Sequence, residues 1–140
     1  MIIRDPRPED MPELNRLIGE LGYPLDDSEF RARFERVASA PTHHVFVAEE
    51  AGGIVGLLHV FERPALDKPC DAVVQALVVD NKVRGHGIGE ALMRAAEAWA
   101  AERHLDSTSL YTSVKRERAH AFYERIGYQR EGTSHLMRRS

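Results

Sequence analysis

Leu77-Val78-Val79-Asp80-Asn81-Lys82-Val83-Arg84-Gly85-His86-Gly87-Ile88-Gly89-Glu90-Ala91-Leu92-Met93 is the stretch whose reading decides the fold. It begins as the end of an apolar strand and crosses a short polar turn. A loop with glycine at alternate positions follows, and the chain then emerges as a helix. A strand that feeds a glycine-rich helix N-terminus is suited to an anion. The first-turn N–H groups have no intrahelical partner, the helix dipole is positive there, and glycine lets a ligand come close to the backbone. Arg84 at the loop entrance adds a permanent cation that matches phosphate geometry.

The spacing excludes two familiar phosphate loops. No Lys-Ser or Lys-Thr pair follows the glycines, as a nucleoside triphosphate loop requires. A dinucleotide fingerprint would need glycine where Glu90 stands. A connector that binds nothing would carry the entropic cost of three glycines in five residues without a return. The segment resembles the acyl-CoA pyrophosphate loop of the GNAT superfamily of N-acetyltransferases, [QR]-x-x-G-x-[GA], through Arg84, Gly85, His86, Gly87, Ile88 and Gly89. The preceding Leu77, Val79 and Asp80 and the following Leu92 and Met93 fit that family's strand and helix.

Composition sets the outer bounds. A chain of 140 residues is long enough to bury one sizeable core, and we expect a single domain over residues 1–140. A formal charge of −3 argues against a nucleic-acid binder that relies on a basic field. No apolar run is long enough to span a bilayer, and the N-terminus lacks the pattern of a signal peptide. Cys70 is the only cysteine, so no intrachain disulfide can form. A cytoplasmic location is the default expectation, with no membrane or nucleic-acid partner.

Taken in order, Met1 to Asp5 reads as a short strand. Asp10, Pro12 and Glu13 signal a helix start with an N-cap carboxylate, and Leu14, Leu17, Ile18 and Leu21 give it one apolar face up to Gly22. A second helix is expected from Asp27 or Ser28, with Phe30, Phe34 and Val37 on one side and a solvated charged face opposite. His44 to Glu50 and Ile54 to Phe61 are strand-like runs joined by Ala51-Gly52-Gly53, a hairpin signal. Ala72 to Val79 is nearly continuous apolar strand, as a central strand buried on both faces should be, interrupted by Gln75. The helix after the glycines turns Ile88, Leu92, Ala95, Ala96 and Trp99 inward. A strand from Ser107, a helix through Ala119, Phe122, Tyr123 and Ile126, and terminal strand from Tyr128 complete the pattern. This order is α+β: a mixed, mostly antiparallel sheet of six to seven strands flanked by four helices, in three layers.

A second segment, Ala119 to Tyr128, resembles the other recognisable GNAT motif, N-x-x-A-x-x-[LF]-Y-x-x-x-G-[FY], through Ala119, Phe122, Tyr123, Gly127 and Tyr128. Both segments occur in the family's order, one helix and one strand apart. One position departs: Arg116 stands where the family has asparagine, and an exposed arginine there is read as facing solvent in preference to reaching a phosphate.

The resemblance implies an acyl-CoA N-acyltransferase fold and acetyl transfer from acetyl-CoA to a primary amine, of a small molecule in preference to a protein, by direct attack on the thioester. It implies that backbone N–H groups from Arg84 to Gly89, including those of Gly85, His86, Gly87 and Ile88, hold the pyrophosphate. The main chain of Leu77, Val78 and Val79 would pair with pantetheine, with the Val79 N–H polarising the thioester carbonyl. Phe122 would also contact the cofactor, and Tyr123 would protonate the departing thiolate. Candidates for handling the proton of the attacking ammonium are Gln75, by holding a water, Asp71, which shares its parity on the strand, and His59 on the neighbouring strand. The acceptor would be selected by the segment from Tyr23 to Glu29, the loop from Glu62 to Cys70 and the terminal strands. Asp26, Asp27 and Glu29 would suit a cationic acceptor, although helix capping accounts for them equally well. No metal site is expected, because His43 and His44 point to opposite faces of a strand and no ligand spacing exists. A homodimer is compatible with the family. The alternatives are a non-catalytic acyl-CoA-binding regulatory module and a generic nucleotide binder.

Overall fold

The structure, a computed structural model, describes residues 1–22 and 24–140. Its residues fall into two compact units, Met1–Leu110 and Tyr111–Ser140. The first unit carries a sheet in the order β1 (Ile2–Arg4), β2 (His43–Glu50), β3 (Gly53–Arg63), β4 (Asp71–Val79) and β5 (Ser107–Leu110), together with α1 (Met11–Gly19), α2 (Asp27–Ala38) and α3 (Ile88–Glu102). β1 to β4 pair antiparallel in sequence order, and β5 joins β4 in parallel after the α3 crossover. The α+β class follows: one mixed, mostly antiparallel sheet with helices on it.

The hairpin signal works as its chemistry requires. Ala51 and Gly52 both have positive φ, 52° and 80°, the two-residue turn whose twist matches that of the flanking strands. Register then assigns the faces. Val47 opposes Leu57, and Leu57 opposes Val78. These three form one cluster with Met11, Leu14 and Leu17 of α1 and Phe30 of α2. On the other face, a Cβ added to Gly56 would meet Leu92 of α3 at 3.0 Å and Ile88 at 3.2 Å. Glycine at position 56 is what lets α3 seat against the sheet. Leu14, Leu17, Leu58, Ile88, Leu92 and Met93 are fully buried, each worth about 1.5–3 kcal/mol of apolar transfer.

Asp10 does not cap α1 with its side chain. Its carboxylate is buried, accepts from the Arg7 N–H at 2.7 Å and pairs with Arg4 of β1 at 2.8 Å. Arg4 also reaches Glu49 of β2 at 2.7 Å, and its guanidinium holds the Asp10 carboxyl below the usual carboxylate range. The acid thus ties the edge strand to the start of α1.

In the second unit, α4 (Glu117–Arg125) ends at Gly127, whose φ of 108° lets the Tyr128 N–H return to the Tyr123 carbonyl at 2.9 Å. No strand follows among the described residues. The sheet has five strands where six to seven were expected, and the strand expected from Tyr128 is absent. The reason is legible in the residues. Beyond Tyr128 the only apolar side chains are the adjacent Leu136 and Met137, 84% and 86% exposed, and two neighbours cannot supply the alternation that buries one face of a strand.

Candidate active site

β4 changes character half-way along. Asp71 to Val74 pair with Ser107 to Leu110 of β5, and there β5 ends. On the β3 side, Val74 opposes Val60 and Ala76 opposes His59, so Gln75 is an extra residue without a partner: a β-bulge. The bulge also resets the faces. Asp71, Val73 and Gln75 lie on the face of His59 and Phe61, whereas Leu77 falls on the opposite face, out of the parity that simple alternation gives it.

The unpaired edge can be assigned residue by residue. The Asp80 N–H donates to the Val55 carbonyl at 2.8 Å, so position 80 faces β3. Main-chain groups alternate sides along a strand, which directs those of Val78 toward β3 and those of Leu77 and Val79 away from it. That is the side from which β5 has already departed. Two amides and two carbonyls therefore line an open edge at the C-terminal half of β4. Val78 is buried, while Leu77 and Val79 are partly exposed.

The glycine loop continues this edge. Asp80 accepts from the Lys82 N–H at 3.0 Å and from Arg16 of α1 at 3.2 Å, which fixes the turn leaving β4. The Lys82 N–H, followed by the charge of Arg16, holds the Asp80 carboxyl below its ordinary range. Arg84, Gly85, His86 and Gly87 are exposed, and Ile88 and Gly89 are buried at the start of α3. Gly85 and Gly87 have φ of 89° and 78°, and a Cβ at either would meet nothing within 4 Å. Gly87 is the N-cap of α3 and offers no side chain, so the N–H groups of Ile88, Gly89 and Glu90 are left for an outside acceptor. An open cradle of amides with an exposed arginine at its entrance fits a diphosphate.

In the second unit, the Tyr123 ring meets Phe122 edge-on at 5.1 Å and Tyr128 at 6.1 Å. Burial pushes the Tyr123 phenol above its ordinary pKa, partly opposed by the charge of Arg116, so the group is a protonated donor at neutral pH. Arg116 occupies the N-cap of α4 without a side-chain cap, and the guanidinium of Arg125 lies 5.6 Å from the centre of the Phe122 ring.

Gln75 is exposed at the bulge. Asp71 accepts from the Ser107 hydroxyl at 2.7 Å and lies 3.7 Å from Arg63. Eight residues separate it from Val79, about 26 Å along a strand, so these two candidates sit at opposite ends of β4. His59 is held at 2.9 Å from His43, ring nitrogen to ring nitrogen, and burial followed by the charge of His43 pushes its pKa down to about 4. Pairing across the β2–β3 hairpin makes the two histidines diagonal neighbours, a contact the reading of isolated residues missed. Asp26 caps α2 by accepting from the Glu29 N–H at 2.8 Å, Asp27 accepts from Asn15 at 3.1 Å, and Glu29 pairs with Arg33 at 3.0 Å. The acidic trio is thus engaged within the fold. Tyr23, expected at the start of the acceptor segment, lies outside the described residues. No group of three or more His, Cys, Asp or Glu side chains that could hold a metal occurs among the described residues. No helix among them is long and apolar enough to cross a membrane.

Residues 9–128 match the Acetyltransferase (GNAT) family. The chain belongs to that family. It is 33% identical over 129 residues to the aminoalkylphosphonate N-acetyltransferase of Salmonella typhimurium, covering 91% of this chain and 84% of that protein. It is 26% identical over 134 residues to the 5-NmdU N-acetyltransferase of Pseudomonas phage PaMx11, covering 96% and 91% of the two chains. Among solved structures, an aminoglycoside N-acetyltransferase in complex with CoA superposes with a TM-score of 0.90 at 17% identity, over 99% of this chain and 93% of the other, a likeness of fold. This GNAT protein is an acetyl-CoA-dependent N-acetyltransferase.

Proposed function

We propose that residues 1–140 act as one transferase domain that moves the acetyl group of acetyl-CoA to the primary amine of a small molecule. The observation that carries this reading is the continuity of the unpaired β4 edge with the uncapped N-terminus of α3. The amides from Arg84 to Gly89 and the Arg84 guanidinium take the diphosphate. Leu77 and Val79 pair with the pantetheine arm as an added strand would, with the Val78 side chain in the core beneath, and Phe122 flanks the cofactor.

An extended pantetheine arm carries the thioester away from the glycine loop and toward the bulge. We therefore assign polarisation of the carbonyl to this row of free N–H groups, with Leu77 beside the bulge sharing the task given to Val79. The amine attacks the carbonyl carbon, the C–S bond breaks, the phenol of Tyr123 gives its proton to the departing thiolate, and the proton that the nitrogen loses as the amide forms restores the phenol. A phenol kept neutral by burial is in the correct state for that step. The proton released by the ammonium leaves through a water held by the exposed amide of Gln75. Asp71 supports that end of the strand through Arg63 and Ser107.

The aminoalkylphosphonate and aminoglycoside enzymes among its relatives support a small-molecule acceptor. We place the protein in the cytoplasm, without membrane or nucleic-acid partners and without a metal; a homodimer is compatible with this. The test is titration calorimetry with CoA, followed by thiol release from acetyl-CoA with a panel of an aminoalkylphosphonate, an aminoglycoside, glucosamine 6-phosphate and serotonin. Binding together with amine-dependent thiol release is expected. Binding without turnover on any amine points to an acyl-CoA-binding regulatory module, and absence of heat at millimolar CoA overturns the reading.

A further inference from the structure

The residues of the donor site leave one polar feature of the sheet unexplained. His43 of β2 and His59 of β3 share a hydrogen bond of 2.9 Å between Nδ1 of His43 and Nε2 of His59. Two imidazoles at that distance hold one proton between them, so one ring donates and the other accepts. Phe61 stacks on His43 with ring centroids 5.1 Å apart and an interplanar angle of 14°. At one end of the pair, His59 opposes Ala76, the residue that follows the bulge, and lies on the face that carries Gln75. At the other end, His43 lines a surface cavity of about 170 Å³ with Phe34, Val37, Ala38 and Val45. The pair thus connects the middle of β4 with solvent beside α2.

The surroundings contain little that would compete for the proton. Across β2 from His59 stands Val45, and across β4 stands Ala76. From α2, Phe34, Val37 and Ala38 face the cavity beside His43. The nearest charged groups on this face of β3 and β4 are Arg63 and Asp71, which lie 3.7 Å from each other. Asp5 of the cavity rim is bound to His44 at 2.8 Å. Burial keeps His59 neutral at physiological pH, which suits a group that passes a proton on and does not store one.

We propose that His59 and His43 form a two-imidazole relay that carries the proton released by the attacking amine from the bulge at Gln75 to the cavity beside α2. This rests on the transferase reading above and extends the proton path of that reading beyond the water at Gln75. The water held by Gln75 takes the ammonium proton and delivers it to Nδ1 of His59. The proton on Nε2 of His59 passes to Nδ1 of His43, and Nε2 of His43 releases its own proton to water in the cavity. Each ring finishes as its other neutral tautomer, and ring reorientation restores the start. Over the full turnover two protons leave the amine nitrogen. One, released by the ammonium before attack, reaches solvent through the relay. The other, lost as the tetrahedral adduct becomes the amide, restores the proton that Tyr123 gives to the thiolate, so charge and atoms balance.

The test uses the full chain, acetyl-CoA and whichever amine of the panel the wild type acetylates fastest. His43→Ala should lower kcat roughly tenfold or more, with the KM for acetyl-CoA within about twofold of wild type. Added imidazole, which fits the space vacated, should restore the rate in proportion to its free-base concentration. Pyrrole, of the same size but without a basic nitrogen, should not. Unchanged kcat, or equal restoration by pyrrole, overturns the relay and leaves the pair as packing. His43→Asn is the second variant, with folding checked by its calorimetric CoA affinity; a wild-type kcat in that variant also overturns the relay. A wild type that acetylates no amine removes the transferase reading and the relay together, whereas an active wild type with a fully active His43→Ala removes the relay alone.

Discussion

Between Asp71 and Val74, β4 is hydrogen-bonded on both sides, to β3 and to β5; between Gln75 and Val79 it keeps β3 alone. The two halves are almost identical in composition, Ala-Val-Val against Ala-Leu-Val-Val, yet one is a structural strand and the other an edge offered to a ligand. Side chains do not make the difference. It comes from the length of β5, which stops at Leu110, and from one inserted residue at the bulge. A buried central strand keeps its backbone groups paired, so a half that leaves them open is held in reserve for something that pairs with them.

The largest effect expected from this contrast lies at the loop that continues the open half. Gly87→Val places a side chain where nothing lies within 4 Å of a Cβ and forces a branched residue to a φ of 78°. CoA affinity measured by calorimetry should fall at least a hundredfold. Gly127, at a φ of 108° in the second unit, is the control: Gly127→Ala should cost about 1 kcal/mol of stability from the same kind of strain and leave CoA affinity unchanged. Equal loss of CoA binding in both variants would mean that strain, and not occupation of the cradle, is being measured.

Next in size is Tyr123→Phe, expected to lower kcat by about a hundredfold with CoA affinity unaltered. Full retained activity removes Tyr123 from the chemistry and shifts thiolate protonation to solvent. The two halves of β4 can then be set directly against each other. Gln75→Leu, in the open half, should reduce kcat about tenfold with a melting temperature close to wild type. Val73→Ala, in the paired half and 3% exposed, should cost about 2 kcal/mol of stability and leave kcat within twofold. If the two variants exchange phenotypes, the division of labour along the strand is wrong.

Much of this arrangement was legible in the residues, for reasons that differ from place to place. The cradle could be read because glycines and an arginine between an apolar strand and an amphipathic helix leave few other uses for that pattern. The hairpin could be read because Ala51-Gly52-Gly53 allows the left-handed turn. The bulge could not, since a single glutamine in an apolar run is equally an edge residue or a buried polar contact, and only pairing with β3 shows it to be supernumerary. Simple alternation would put Leu77 on the face of Asp71 and Gln75, and the bulge moves it to the other: alternation is a sound rule until one extra residue resets it. The His43–His59 contact needed the register of the hairpin, and the assignment of a terminal strand credited Tyr128 with successors that lack an apolar face.

The smallest expected effect tests whether the open half is autonomous. Asp80 closes β4, and Arg16 of α1 reaches it at 3.2 Å while also lying 3.6 Å from Glu20. The Arg16 side chain is 47% exposed, so the pair is worth no more than about 1 kcal/mol, and Arg16→Met should lower the melting temperature by a few degrees at most. High salt should reduce that difference, because an exposed pair is screened. CoA affinity distinguishes two arrangements of the same atoms. The Asp80 carboxylate also accepts the Lys82 N–H, so if this local bond is enough to set the turn, the affinity of Arg16→Met stays within twofold of wild type. If α1 is needed to hold Asp80 in place, affinity falls several-fold while stability scarcely moves. The local bond is the shorter of the two, at 3.0 Å, and joins residues two apart in sequence, so the ordering entropy it must overcome is smaller. We therefore expect the cradle to keep its shape when α1 lets go.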